Sequence, residues 1–173
     1  MENKKSSIVY GICELAGILL LTFIDQWTKY LAVLHLKNQE SIVLIPGVFQ
    51  LQYLENHGAA FGILQGQQWI FFLMTIVYLV AAVWIYLRIP KTKKYFPLHM
   101  IAVVLTAGAL GNFIDRISQG YVVDFFYFSL IDFPIFNVAD IYVVLSFIGL
   151  AICILFVYKD EDFAFLNLKK KEN

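Results

Sequence analysis

ADIYVVLSFIGLAICILFVY, residues 139–158, carries a single charge at Asp140 and none after it. Coiled as a helix, a run of about 20 mostly apolar residues crosses a hydrocarbon core about 30 Å thick. Residues 8–34, 69–88 and 98–117 form three more charge-poor stretches of comparable length. The composition agrees, with 60% of the 173 residues hydrophobic and only 15% charged and a mean hydropathy of +0.71. Lipid is the solvent such a chain is written for. The expectation is an α-helical integral membrane protein, a single membrane domain over residues 1–173 with four transmembrane helices. Outer loops are expected at 35–68 and 118–138, and a cytoplasmic loop at 89–97.

The charges orient that bundle. An even number of spans puts both termini on one side. Lys4 and Lys5, then Arg88, Lys91, Lys93 and Lys94, then Lys159, Lys169, Lys170 and Lys171 place ten of thirteen basic residues at that side. The positive-inside rule makes it cytoplasmic. Asp25, Glu40, Glu55, Asp115, Asp124, Asp132 and Asp140 fall on or near the outside, so the net charge of zero hides a dipolar layout. The asymmetry speaks of orientation, not of a nucleic-acid partner, and the basic clusters face anionic membrane lipid. Lys4 and Lys5 ahead of an apolar run resemble a signal peptide. The run is too long and lacks a small-x-small site, so an uncleaved first helix is expected.

Between the first two spans, SIVLIPGVFQLQYL (41–54) has a Pro46-Gly47 turn and then alternates Phe49, Leu51 and Tyr53 with Gln50 and Gln52. That pattern predicts a hairpin, a small extracytoplasmic β-sheet carried by the helices. RIPKTKKYFP (88–97) is a plain basic turn, and KKKEN a frayed tail. Cys13 and Cys153 read as small buried hydrophobes. His35, His57 and His99 are scattered without metal-ligand spacing, and no serine has a nucleophile motif around it, so no metal or cofactor is expected.

What remains is a set of polar residues at span ends. Asp25 and Lys29 are spaced i, i+4 near the outer end of span one, a spacing that suits a simple helical ion pair. Asn112 and Arg116 share that spacing in span three, after the small-residue run AGALG (107–111), which lets another helix come close. Arg116 is expected to neutralise a neighbouring carboxylate. Glu14 lies within about 20° of Asp25 on a helical wheel and points into the bundle, with no assigned role. Asn137 suits the N-cap of span four, which puts Asp140 at N3, a position where capping alone accounts for both residues. Asp124 sits among valine and phenylalanine in VVDFFYF, where an unpaired carboxylate is costly. With Asn56 in the first outer loop, these groups share one level of the membrane. They are compatible with a hydrolase, with an ion or proton relay, and with a purely structural subunit.

Five ordered segments carry a resemblance. DQWTK (25–29), NHGAAFGIL (56–64), GALGNFIDR (108–116), VVDF (122–125) and FNVAD (136–140) resemble the lipoprotein signal peptidase (signal peptidase II) family. The resemblance implies a bacterial inner-membrane aspartyl endopeptidase that removes the signal peptide from diacylglyceryl-modified prolipoproteins, cutting before the lipidated cysteine. It implies Asp124 and Asp140 as the catalytic pair. Asp25, Lys29, Asn56, Asn112, Asp115, Arg116 and Asn137 are then substrate-binding or site-supporting. It implies neither cofactor nor metal, a lipid-modified prolipoprotein as partner, and a monomer with its site toward the outer face. Thr28 stands where many members have serine, Ile141 where a smaller or polar residue is usual, and the loop between the two aspartates is short for the family.

Two carboxylates about 3 Å apart do not both ionise, so one stays protonated and polarises a carbonyl while the other takes a proton from water. Asp140, at a helix N-terminus, is expected to be the base and Asp124, in its aromatic setting, the acid. Asn112 and Asn137 are expected to donate to the substrate backbone or to the developing oxyanion. A membrane-bound substrate reaches such a site by lateral diffusion.

Overall fold

A computed structural model of the chain describes residues 4–58 and 67–166. The segments around Ala59, within the NHGAAFGIL stretch, and around Lys169 to Lys171 lie outside the described residues. In chain order the elements are α1 (Lys4–Leu36), β1 (Ile42–Ile45), β2 (Phe49–Asn56), α2 (Gln68–Tyr86), α3 (Phe96–Gln119), β3 (Val122–Tyr127) and α4 (Val138–Ile152). Short 3-10 turns at Lys93–Tyr95, Ser129–Ile131 and Asp160–Leu166 join or follow them, and α4 continues as one π-helical turn, Cys153–Val157.

Four helices, starting at Ile8, Trp69, Lys93 and Val138, are long and apolar enough to cross a membrane. Their outward faces are what an apolar solvent demands. Leu19 is 61% exposed, Val80 66% and Phe156 80%, exposures that would be costly in water for so many large side chains at once. Toward the sheet-bearing end of α1, the exposed Phe23, Trp27 and Tyr30 rings follow one another, with centroids 6.1 and 5.6 Å apart. The helix ends obey local rules. Pro97 sits in the first turn of α3, where its missing N–H costs nothing, and Gly120 ends that helix at φ +81°, a left-handed value that suits glycine.

The expected hairpin is present and has gained a third strand. β1 and β2 pair antiparallel around Gly47, whose φ is +71°. β2 then pairs with β3, giving the order β1-β2-β3. The VVDFFYF segment is thus a strand where a loop was expected. Its free edge is completed by Phe136, whose carbonyl accepts from the backbone N–H groups of Phe125 and Phe126 at 3.0 and 2.8 Å. Alternation along β3 sends Val123 and Phe125 into a cluster with Ala32 and Leu36 of α1. The opposite face carries Val122 and Asp124.

Small residues set the spacing of the helices. A Cβ on Gly108 would lie 2.7 Å from the Ala139 carbonyl oxygen. A Cβ on Gly111 would overlap the Asp25 carboxylate and come 3.2 Å from the Ala139 Cβ. Ala107 and Ala139 are themselves fully buried. Close approach at AGALG therefore brings α1, α3 and the first turn of α4 to one point. The Gly111→Ala variant is expected to lose about 1–3 kcal/mol of stability, the usual cost of an over-filled interior. Gly149→Ala, whose added Cβ would meet Ile101 at an ordinary 3.4 Å, is expected to be close to neutral. Thermal unfolding of the two variants in the same detergent checks the contrast.

Candidate active site

The site begins at the N-terminus of α4. A helix start leaves four backbone N–H groups without intrahelical partners, and here side chains answer three of them. Asn137, the N-cap, accepts from the Asp140 N–H at 3.0 Å, and the Asp140 carboxylate accepts from the Asn137 N–H at 3.1 Å, a reciprocal capping box. The Ala139 N–H is answered from α1, donating to Asp25 Oδ1 at 2.8 Å. Asp25 is thus a remote cap for a helix 114 residues further along the chain.

Around that start the polar side chains link into one network. Lys29 Nζ lies 2.9 Å from Asp25 Oδ2 and 3.1 Å from Asp115 Oδ2, and it donates to Asn112 Oδ1 at 2.9 Å. Asn112 Nδ2 donates to Asp140 Oδ1 at 2.7 Å. Asn137 Nδ2 donates to Asp124 Oδ1 at 2.6 Å and to Asn112 Oδ1 at 3.1 Å. Asn56 Nδ2 donates to Asp124 Oδ2 at 2.8 Å. Asn56 stands opposite Val122 in the β2–β3 register, so it reaches Asp124 as a diagonal neighbour on one sheet face. The Gly58 N–H donates to Asn56 Oδ1 at 2.9 Å, which turns the amide nitrogen toward Asp124.

Asp124 and Asp140 are therefore joined by asparagine bridges, and both line a cavity of about 530 Å³ together with Asn112, Arg116, Phe71 and Phe136. Arg116 departs in part from expectation, since its charge faces those of Asp140, Asp124 and Asp115 only at a distance. Among the described residues it forms no ion pair with a carboxylate. Its guanidinium lies 4.5 Å from the Phe71 ring centroid and donates weakly to the Gly58 and Asn112 carbonyls at 3.3 and 3.4 Å. Asn137 departs as well. Its two amide hydrogens are already directed at Asp124 and Asn112, so it holds the site together and has none left for a substrate.

Gln26 is a site residue that sequence reasoning missed. Its Nε2 donates to Asp115 Oδ1 at 2.8 Å and to the Gly111 carbonyl at 3.1 Å. Asp115 Oδ2 in turn accepts the Val123 N–H at 3.0 Å, pinning β3 beside α3. The polar residue inside DQWTK was a signal, yet only the rotation of α1 against α3 shows where it points. Among the described residues, no three side chains of metal-ligating type gather in one place.

Burial pushes the Asp124 carboxyl up to about 7, and the nearby Asp140 charge adds to the rise. Hydrogen bonds from Asn56 and Asn137 and the charge of Lys29 act in the opposite direction, because each favours the ionised form. Asp124 is only 1% exposed. The arrangement presents one proton-bearing acid beside a second carboxyl group in a largely apolar chamber. Infrared titration of the purified protein is expected to show a carboxylic-acid band, absent in Asp124→Asn, that disappears as the pH rises through about 7. In Asn56→Ala, which removes a hydrogen bond to the ionised form, the same band is expected to persist to higher pH.

The chain matches the family model described as signal peptidase (SPase) II over residues 17–156. It is 41% identical over 146 residues to a lipoprotein signal peptidase of Streptococcus thermophilus (strain CNRZ 1066), covering 84% of this chain and 92% of that protein. It is 38% identical over 147 residues to a lipoprotein signal peptidase of Streptococcus pyogenes serotype M5 (strain Manfredo), covering 85% and 93%. Two solved structures of bacterial membrane enzymes are similar in fold. One has a TM-score of 0.75 at 34% identity, covering 91% of this chain and 93% of that one. The other has a TM-score of 0.73 at 35% identity, covering 84% and 94%.

Proposed function

The chain belongs to the signal peptidase II family of aspartic proteases, and we propose that Asp124 and Asp140 are the carboxylates with which it removes signal peptides from prolipoproteins. It is a multi-pass bacterial membrane protein. The observation that carries the assignment is the bridging of these two acids, from β3 and α4, around one cavity by Asn112 and Asn137. Asp25, Lys29, Asp115 and Gln26 position that pair from outside the cavity, and Asn56 holds Asp124 from its wall.

The reaction needs one acid and one base. Asp140 sits at N3 of α4, where the positive end of the helix dipole favours a carboxylate, so it takes a proton from water as the water oxygen attacks the scissile carbonyl carbon. Asp124 carries the other proton and donates a hydrogen bond to the carbonyl oxygen as negative charge develops there. When the tetrahedral intermediate collapses, the C–N bond breaks, the nitrogen of the departing chain receives the proton that Asp140 took from water, and a new carboxyl group remains on the signal peptide. The Arg116 guanidinium, free of carboxylate partners among the described residues, is placed to hold a substrate carbonyl.

The finer reading follows from depth. The acids lie at the membrane end that carries the sheet. A cysteine anchored by a diacylglyceryl thioether would be held at that level, so the cut falls just before it. One copy of the chain supplies every group that the proposed chemistry uses, so a monomer suffices. The basic residues of the α2–α3 turn put that turn, and both termini, in the cytoplasm of a bacterial inner membrane, with the sheet and the acids outside.

Asp124→Asn and Asp140→Asn are each expected to lower cleavage of a lipidated prolipoprotein by at least about 100-fold, the scale of general acid–base assistance. Unchanged thermal unfolding should accompany the loss, and full activity in either variant overturns the assignment. Orientation is checked separately. A cysteine placed at Ile45, half exposed on β1, should react with an impermeant maleimide in intact cells, whereas one placed at Lys93 should react only after permeabilisation.

A further inference from the structure

Apolar side chains continue past the spanning helices onto the sheet. The turn Ser129–Ile131 presents Leu130 at 67% and Ile131 at 69% exposure, and β1 beside it presents Leu44 and Ile45 at 51% and 53%. The two places are joined. The Leu130 N–H donates to the Val48 carbonyl in the β1–β2 turn at 3.4 Å, and the Phe49 and Phe128 ring centroids lie 4.8 Å apart. Neither 41–54 nor 125–131 contains a charged residue. A lone exposed leucine is ordinary, whereas a joined apolar patch without charge marks an interaction surface.

Its surroundings say which partner fits. Phe133 and Ile135 line the same cavity as Val144 and Leu145, two α4 residues that are each more than half exposed on a span. Leu145 lies five residues past Asp140, about 7.5 Å further along the helix. Segment 133–136 therefore overhangs the flank of α4 that faces lipid, and the 129–131 turn lies at its edge. That turn also supplies its own hydrogen bonds. The Asp132 N–H donates to the Ser129 carbonyl at 3.4 Å and the Phe133 N–H to the Phe128 carbonyl at 3.2 Å. The carboxylate of Asp132 accepts from the Tyr127 hydroxyl at 2.6 Å. Backbone that enters lipid must be satisfied internally in this way. Among the described residues β1 pairs on one side only, which suits the head-group level, where water remains.

We propose that the 129–131 turn is a wedge seated in the bilayer leaflet on the sheet side, with Leu130 and Ile131 reaching the acyl chains and Leu44 and Ile45 lying among the head groups. The wedge is braced against the cavity. Phe128 and Phe133 both pack on Phe136, with ring centroids 5.9 and 5.8 Å away, and Phe136 lines the cavity at the aspartates. Seating the turn in lipid thus fixes the height of one cavity wall against the bilayer surface. The contact depends on neither the proposed catalytic residues nor the proposed orientation.

The test is a depth measurement by electron paramagnetic resonance on the full-length protein in vesicles of phosphatidylcholine and phosphatidylglycerol. Cys13 and Cys153 are replaced by alanine, and a nitroxide is attached in Leu130→Cys or Ile131→Cys. Val80→Cys, on the exposed face of α2, is the lipid reference, and Glu40→Cys, exposed after α1, the aqueous one. Accessibility to oxygen, which concentrates in lipid, is compared with accessibility to a water-soluble nickel chelate. The labels at positions 130 and 131 are expected to read about 5–10 Å below the lipid phosphates, the usual depth of an interfacial apolar face. Nickel accessibility at 131 equal to that at 40 places the turn in water and overturns the proposal. Protection from both reagents, or dipolar broadening between labelled copies, means that protein covers the patch and overturns it as well. Ile131→Trp in the chain with its native cysteines decides the question should the cysteine-free chain fail to fold. The emission it adds to that of Trp27, Trp69 and Trp84 is expected to be quenched by brominated lipid, and quenching by aqueous iodide instead overturns the proposal.

Discussion

One ammonium group organises the half of this molecule that carries the sheet. Lys29 Nζ has three donors and spends them on Asp25, Asp115 and Asn112. Through those acceptors it reaches α3, α4 and β3. Asp25 answers the Ala139 N–H of α4, Asp115 holds the Val123 N–H of β3, and Asn112 donates to Asp140. A buried cation between two buried carboxylates gains little over apolar packing, because the desolvation of all three offsets their attraction. Removing one member is another matter, costing about 3–5 kcal/mol once an uncompensated charge is left behind. What the trio adds is geometry, since the two directed bonds that cross from α1 to Asp115 and Asn112 fix one rotation against α3.

That rotation matters because capping and chemistry use the same atoms. Asp140 completes the capping box of α4 with one oxygen and receives Asn112 with the other. Asn137 caps the helix with its oxygen while its nitrogen holds Asp124. A capping residue is held in one rotamer by backbone groups that cannot move without unwinding the helix, so the acids inherit the rigidity of α4. Catalysis by paired carboxylates needs such placement, because a misplaced acid loses its proton partner long before it loses its charge.

The bundle carries two polar levels about 16 Å apart along α1, and they are built differently. At the Asp25 level nearly every donor meets an acceptor, and the unfilled volume is the cavity at the aspartates. At the Glu14 level a carboxylate and an imidazole touch without full alignment beside an open groove. Saturation suits a centre that must hold its shape.

Hydropathy alone determined that the chain is a four-helix membrane protein, because a backbone in lipid must satisfy its own hydrogen bonds and the apolar runs have the length that requires. Alternation around Pro46-Gly47 made the first hairpin legible, and the clustering of Asp25, Lys29, Asn112, Arg116 and Asp140 at span ends marked the level of the site. The capping relation of Asn137 and Asp140 was readable because it spans three residues. Tertiary structure alone decided that VVDFFYF is a third strand, that Gln26 serves Asp115, that Arg116 faces the acids at a distance while the asparagines touch them, and that Glu14 finds His99. Each of these depends on how one helix is rotated and how deep it sits against another. That choice is made by packing at Gly108, Gly111 and Ala139 and by hydrogen bonds such as the one from Ala139 to Asp25, 114 residues apart. A pattern read along one strand of text holds the period of each helix but not the angle between two of them.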